Sequence, residues 1–148
     1  MPAQALQRVP LLSCNNPIQL ARNLVGSQYD YYARLEDAPQ VFNCYTFTQW
    51  IVYAGCGILL PGYPEDQYAC ELCTPAELDC LQRLDLVFTS GITRKCPYPI
   101  AHVGLATGEG TIIHAANPSR KKVGGVFEVP LEEFLMGRTY KGARRILL

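Results

Sequence analysis

Apolar residues return at helical spacing first at Ile18, Leu20, Ala21, Leu24 and Val25. Asn16 stands where an N-cap belongs, Pro17 suits the first turn, and Gly26 marks the stop. After an aromatic cluster, Tyr29-Asp30-Tyr31-Tyr32, the pattern predicts a second, central helix over 44–54. Phe47, Trp50, Ile51 and Ala54 form its apolar stripe, Asn43 its N-cap, and Gly55 or Gly57 its end. Its β-branched and aromatic residues are weak helix formers, so this helix depends on packing. Residues 58–82, rich in Pro, Gly, Cys and acids, predict irregular chain with a short helix near 75–83. The period then changes. Strand-like runs occupy 84–89, 101–107, 111–116, 123–130 and 141–148, with a turn at Cys96-Pro97-Tyr98-Pro99 and a short helix over 131–136. Helices first and an antiparallel run of strands afterwards predict an α+β fold.

The chain has 148 residues, enough to bury ~68–70% of the unfolded surface around one core. We therefore expect a single domain over 1–148, with an N-terminal arm at 1–16 and a Cys-rich insertion at 62–83. Hydrophobic residues make up 49% and charged residues 18%, which excludes a disordered composition. Thirteen basic residues balance thirteen acidic ones, so bulk attraction to nucleic acid or anionic lipid is not the purpose. No apolar run reaches the ~20 residues of a membrane span. Gln4, Gln7, Arg8 and Pro10 interrupt any signal-peptide core, and Leu11-Leu12-Ser13-Cys14 is a lipoprotein-like box without one. The compartment is left open. Arg120-Lys121-Lys122 reads as a solvated loop.

Three residues suggest chemistry. Cys44 heads the central helix, where the dipole and free N–H groups favour a thiolate and suit an oxyanion. His102 and His114 flank the turn at Gly108-Glu109-Gly110. A three-residue loop pairs 106 with 112, 104 with 114 and 102 with 116. That register makes the histidines diagonal neighbours on one face; a two-residue loop separates them. Cys44 as nucleophile, His102 as base and His114 as orienting group make one reading. A buried core cysteine and two structural histidines make the other.

Three blocks carry a family resemblance. Phe42-Asn43-Cys44, with Gly57-Ile58-Leu59-Leu60-Pro61, is similar to an Asp-Cys-Ser-Gly-Phe block and a later Gly-Ile-x-Leu-Pro. Asp85-Leu86-Val87-Phe88 is similar to Gly-Asp-Leu-Val-Phe. Ala101-His102-Val103-Gly104-Leu105, the Gly-Glu-Gly turn and Ile113-His114-Ala115 resemble a His-Val-Gly-Ile-Tyr strand, a turn and an Ile-His-Ala strand. Arg144-Arg145-Ile146-Leu147 matches the closing strand. Together these resemble the NlpC/P60 cysteine peptidases, papain-like enzymes that cut peptidoglycan stem peptides. The likeness implies a papain-like fold, with the Cys-bearing helix packed on an antiparallel sheet. It implies a Cys44–His102–His114 triad, a thioester intermediate, no cofactor, a wall-peptide substrate and a monomer. It also implies a tyrosine near the nucleophile, best matched by Tyr32 with Tyr29 as the alternative. Asn43 and Tyr45 stand where the family has the Asp and Ser that help read a free amine, so the resemblance implies hydrolase chemistry more strongly than it implies the family's γ-D-glutamyl–diamino acid specificity. Leu84 replaces a glycine. An amidase or transacylase on the same triad, or a non-catalytic wall-binding module, are the alternative functions.

The chain has seven cysteines, an odd number. Cys70, Cys73, Cys80 and Cys96 fit a four-thiolate zinc site, disulfides or free thiols, and the spacing leaves the choice open.

Overall fold

In the computed structural model, the described residues are 16–91, 98–117 and 123–148. Helix α1 (Pro17–Asn23) starts where Asn16 accepts a hydrogen bond from the Gln19 N–H at 3.1 Å. Strands β1 (Gln28–Tyr29) and β2 (Val41–Phe42) precede α2 (Cys44–Cys56), and α3 (Pro64–Tyr68) follows. Then come β3 (Cys73–Ala76), β4 (Leu86–Thr89), β5 (His102–Ala106), β6 (Thr111–Ala116) and β7 (Gly125–Pro130). Helix α4 (Leu131–Leu135) and β8 (Tyr140–Ile146) close the sequence.

The strands form one sheet in the order β2-β1-β7-β6-β5-β4-β8-β3. Only the two-residue β1–β2 pair is parallel. Alternation divides the centre of the sheet between two faces. Val103, Leu105, Ile113 and Ala115 enter the core with Phe47, Ile51, Val52 and Ala54 of α2. Ala106 and Ile112 turn to the other face, against Phe134 of α4. Gly104 belongs there too: a Cβ on it would lie 2.5 Å from Ile112 and 2.6 Å from Phe134. The fold is the expected α+β architecture, a Cys-bearing helix on a largely antiparallel sheet.

Two stretches differ from the expectation. No α-helix spans 75–83. Cys73–Ala76 is instead an edge strand on β8, followed by a 3₁₀ turn at Leu78–Cys80. Pro75 disfavours helical geometry at Thr74, and an edge strand tolerates its missing N–H. The short helix falls earlier, at Pro64–Tyr68, with proline in its first turn beside Glu65 and Asp66. Segment 62–83 is also more than an appendage. Gln67, fully buried, donates to the carbonyls of Tyr45 (3.1 Å) and Pro61 (3.0 Å) and accepts from Thr48 (2.8 Å). Leu84, where the resemblance expects glycine, adopts a φ of 74° while only 4% exposed. A left-handed leucine carries roughly 1–2 kcal/mol of backbone strain, which its buried side chain offsets. The N-terminal arm, the Cys96-Pro97 turn and the Arg120 basic run lie outside the described residues.

Candidate active site

Asn43 sets the head of α2. Its side chain accepts from the Thr46 N–H, and its own N–H donates to Thr46 Oγ1, both at 2.9 Å. The next residue is Cys44, 9% exposed. The backbone N–H groups of Val103 and Tyr45, and its own, lie close enough to the sulfur to favour the thiolate. Val103 supplies one of these because the β5–β6 ladder pairs Leu105 with Ile113 and Ala106 with Ile112, and stops there. The thiol is thereby tied to the residue next to His102.

The same register continues the pairing drawn from the three-residue loop. His102 Nε2 lies 2.8 Å from His114 Nδ1. Both histidines are 6% exposed. Phe134 packs on both rings, with centroids 5.6 and 5.0 Å away, and Phe127 approaches His114 at 6.5 Å. This apolar seat matters for charge. Burial, Arg138 and His114 hold His102 well below the usual imidazole range. Burial and Arg138 lower His114 to about 3. The thiol departs from the sequence expectation of a lowered pKa: burial pushes Cys44 up to about 11, against the opposing pull of the N–H groups and Arg138. Desolvation outweighs the helix terminus here. All three shifts favour the neutral forms, thiol and imidazoles, at neutral pH.

Cys44 and His102 line one cleft of about 1080 Å³. Tyr29, Tyr45, Tyr63, Asn117 and Arg138 contribute to its walls. Tyr32 also borders it, 82% exposed, with its N–H bonded to Asp30. Tyr29, like Tyr45, interacts electrostatically with Cys44, and burial raises the Tyr29 hydroxyl to about 12. Asn43 is 2% exposed and fully engaged in structure: besides the cap, its amide donates to the carbonyls of Tyr31 (3.3 Å) and Ala33 (3.0 Å). Tyr45 faces the cleft and packs against Tyr63 with ring centroids 5.1 Å apart. Phe134 and Arg138 were missed from sequence. Nothing local marks them, because α4 and the turn after it are brought to the site by the sheet.

Cys70, Cys73 and Cys80 carry free thiols. Cys96 lies outside the described residues, and among those described no group of three or more His, Cys, Asp or Glu side chains is placed to hold a metal ion. Among the described residues no helix is long and apolar enough to cross a membrane.

The profile of the NlpC/P60 family matches residues 26–144. A probable endopeptidase of Corynebacterium glutamicum (strain R) is 36% identical over 120 residues, covering 80% of this chain and 50% of its own length. The chain thus spans about half the length of the curated relatives it matches. NlpC1 of Trichomonas vaginalis superimposes with a TM-score of 0.71 at 18% identity, over 90% of this chain and 44% of that one. The NlpC/p60 domain of the peptidoglycan hydrolase SagA gives 0.68 at 20% identity, over 91% of this chain and all of that one.

Proposed function

Because the chain belongs to the NlpC/P60 family, we propose that it is a cysteine hydrolase cutting an amide bond in peptidoglycan stem peptides. The observation that carries the reading is the shared cleft: Cys44 and His102 both line it, and His102 is held from behind by His114. With its proton on Nε2, His102 donates to His114 Nδ1 and keeps the Nδ1 lone pair for the thiol. As the substrate carbonyl arrives, that nitrogen takes the Cys44 proton and the sulfur bonds to the carbonyl carbon. The N–H groups at the head of α2 and at Val103 suit the developing oxyanion. The new imidazolium then protonates the leaving amine, the C–N bond breaks and a thioester is left. Water, deprotonated by His102, hydrolyses the thioester and restores the thiol.

Phe134 supports this chemistry. By excluding water from both rings it keeps the imidazoles neutral, so His102 is ready as a base. The test is digestion of purified wall peptides, followed by product mass. Two fragments whose masses sum to the substrate plus one water, abolished in Cys44→Ala and His102→Ala, are expected. Amine transfer in place of water addition would overturn hydrolysis. Wall-peptide binding without turnover would leave only the binding-module reading.

A further inference from the structure

Arg138 is a cation of this cleft that the triad does not use; Arg34, also in its lining, pairs with Glu36 at 2.9 Å. Arg138 follows α4 and Gly137, whose φ of 74° turns the chain toward β8. Its backbone is fixed on both sides. The Arg138 N–H donates to the Leu135 carbonyl at 3.1 Å, and Thr139 exchanges two 2.9 Å hydrogen bonds with Ser90. From that turn the side chain lines the cleft with Cys44, His102, Tyr29 and Asn117. Its charge is felt by Cys44, Tyr29, His102 and His114 alike.

Among the described residues the ion pairs belong to Arg22, Arg34 and Arg145, and no carboxylate pairs with Arg138. A half-buried guanidinium without a carboxylate is costly to keep. It also works against the imidazolium that the proposed reaction must form at His102. Such a cation is retained for an anion that arrives with the substrate. The planar guanidinium fork matches a carboxylate, and the Tyr29 hydroxyl, neutral at ordinary pH, lies in the same wall as a further donor.

We propose that Arg138 is a specificity residue whose guanidinium pairs with a free carboxylate carried beside the scissile amide, so that peptides amidated at that carboxyl are poor substrates. This rests on the hydrolase reading above, and its test separates the two. In the full chain, Cys44 is alkylated with iodoacetate and with iodoacetamide, and the rate ratio is normalised to a small free thiol. The ratio cancels changes in thiol ionisation, because both reagents meet the same sulfur. It should fall about 10-fold in Arg138→Gln and persist in Arg138→Lys, the size expected for one charge-assisted contact. In parallel, two wall peptides differing only as acid and amide next to the scissile bond are compared. The wild type should favour the acid by about 10-fold or more in kcat/KM, and Arg138→Gln should bring the two together. Equal cleavage of acid and amide by the wild type overturns the proposal, even where the iodoacetate preference depends on Arg138. An unchanged alkylation ratio in Arg138→Gln overturns it as well. Cleavage of neither peptide, with an Arg138-dependent alkylation ratio, instead overturns the hydrolase reading and keeps the anion site. Thermal melts of both variants identify any loss that comes from unfolding.

Discussion

Asn43 occupies the position before the proposed nucleophile, and its amide does two separable jobs. Its oxygen caps α2 by accepting from Thr46; its nitrogen donates to the carbonyls of Tyr31 and Ala33. Replacement by Ser keeps a capping oxygen but cannot reach the two carbonyls. Replacement by Ala removes both functions. Each lost hydrogen bond costs about 1 kcal/mol, more where the acceptor stays buried, as the Ala33 carbonyl does. Loss of the cap adds about 1 kcal/mol. Asn43→Ser should therefore lose about 2 kcal/mol and Asn43→Ala about 3 kcal/mol. At roughly 3 °C per kcal/mol for a chain of this size, the melting temperature drops by about 6 and 9 °C. Asn43→Asp, which restores the family's residue, keeps the cap but sets a carboxylate against two carbonyl oxygens, so it should be less stable than Asn43→Ser. Urea titrations and calorimetry of the three variants measure this. A serine variant as stable as wild type would refute the role of the amide nitrogen. Serine and alanine variants of equal stability would refute the cap.

The other predictions use the same inventory. With the thiol raised to about 11, alkylation of Cys44 should keep accelerating above pH 9; a plateau between pH 5 and 8 would signal a thiolate–imidazolium pair and refute the neutral resting state. His102 and His114 resist protonation when folded and accept it when unfolded, so stability should fall as pH drops below about 6.5. His114→Gln should flatten that fall by up to about 1.4 kcal/mol per pH unit, measured by urea midpoints between pH 6.5 and 4.5; an unchanged slope would show that His114 already protonates freely in the native state. Asp85, 1% exposed, accepts two 2.9 Å bonds from Arg145 and one of 2.8 Å from the Gln82 N–H. Asp85→Ala should cost about 3 kcal/mol by chemical denaturation while leaving the Cys44 alkylation ratio at its wild-type value. Gly104→Ala should cost about 1–3 kcal/mol through overpacking and should also slow turnover, because the atoms it displaces include, beside Ile112, the ring that seats both histidines; a stable, fully active variant would remove Phe134 from the account.

The parts of the molecule legible in the sequence are those where one local rule decides. Asn43 and Gly57 bracket α2 because a cap and a left-handed glycine are local facts. The pairing of β5 with β6 is that of the three-residue turn, one of the two that the sequence allowed. Strands β1 and β2 were not legible, because two residues carry no period, and their pairing is decided by β7. Cys73–Ala76 was mistaken because its partner, β8, lies some seventy residues on. At the site, residue identities could be listed but their ionisation could not. The state of Cys44 is set by burial among β5, β6 and α2, which no sequence window contains. Tyr29 and Tyr32 are alike as letters; only the fold sets one within electrostatic reach of the sulfur and leaves the other in solvent.

The strand order bears on how the protein is made. Strand β8, last in the chain, lies between β4 and β3 rather than at an edge. Strands β2 and β3, on either side of the Cys-bearing helix in sequence, are the two outer edges. During synthesis Cys44 emerges first, the two histidines about sixty and seventy residues later, and the strand that joins β3 to the sheet after both. The hairpins β4–β5 and β5–β6–β7 form from near neighbours, whereas the helix that bears the thiol waits for distant closure. A nascent or clipped chain ending before Tyr140 therefore leaves both β3 and β4 without their shared partner.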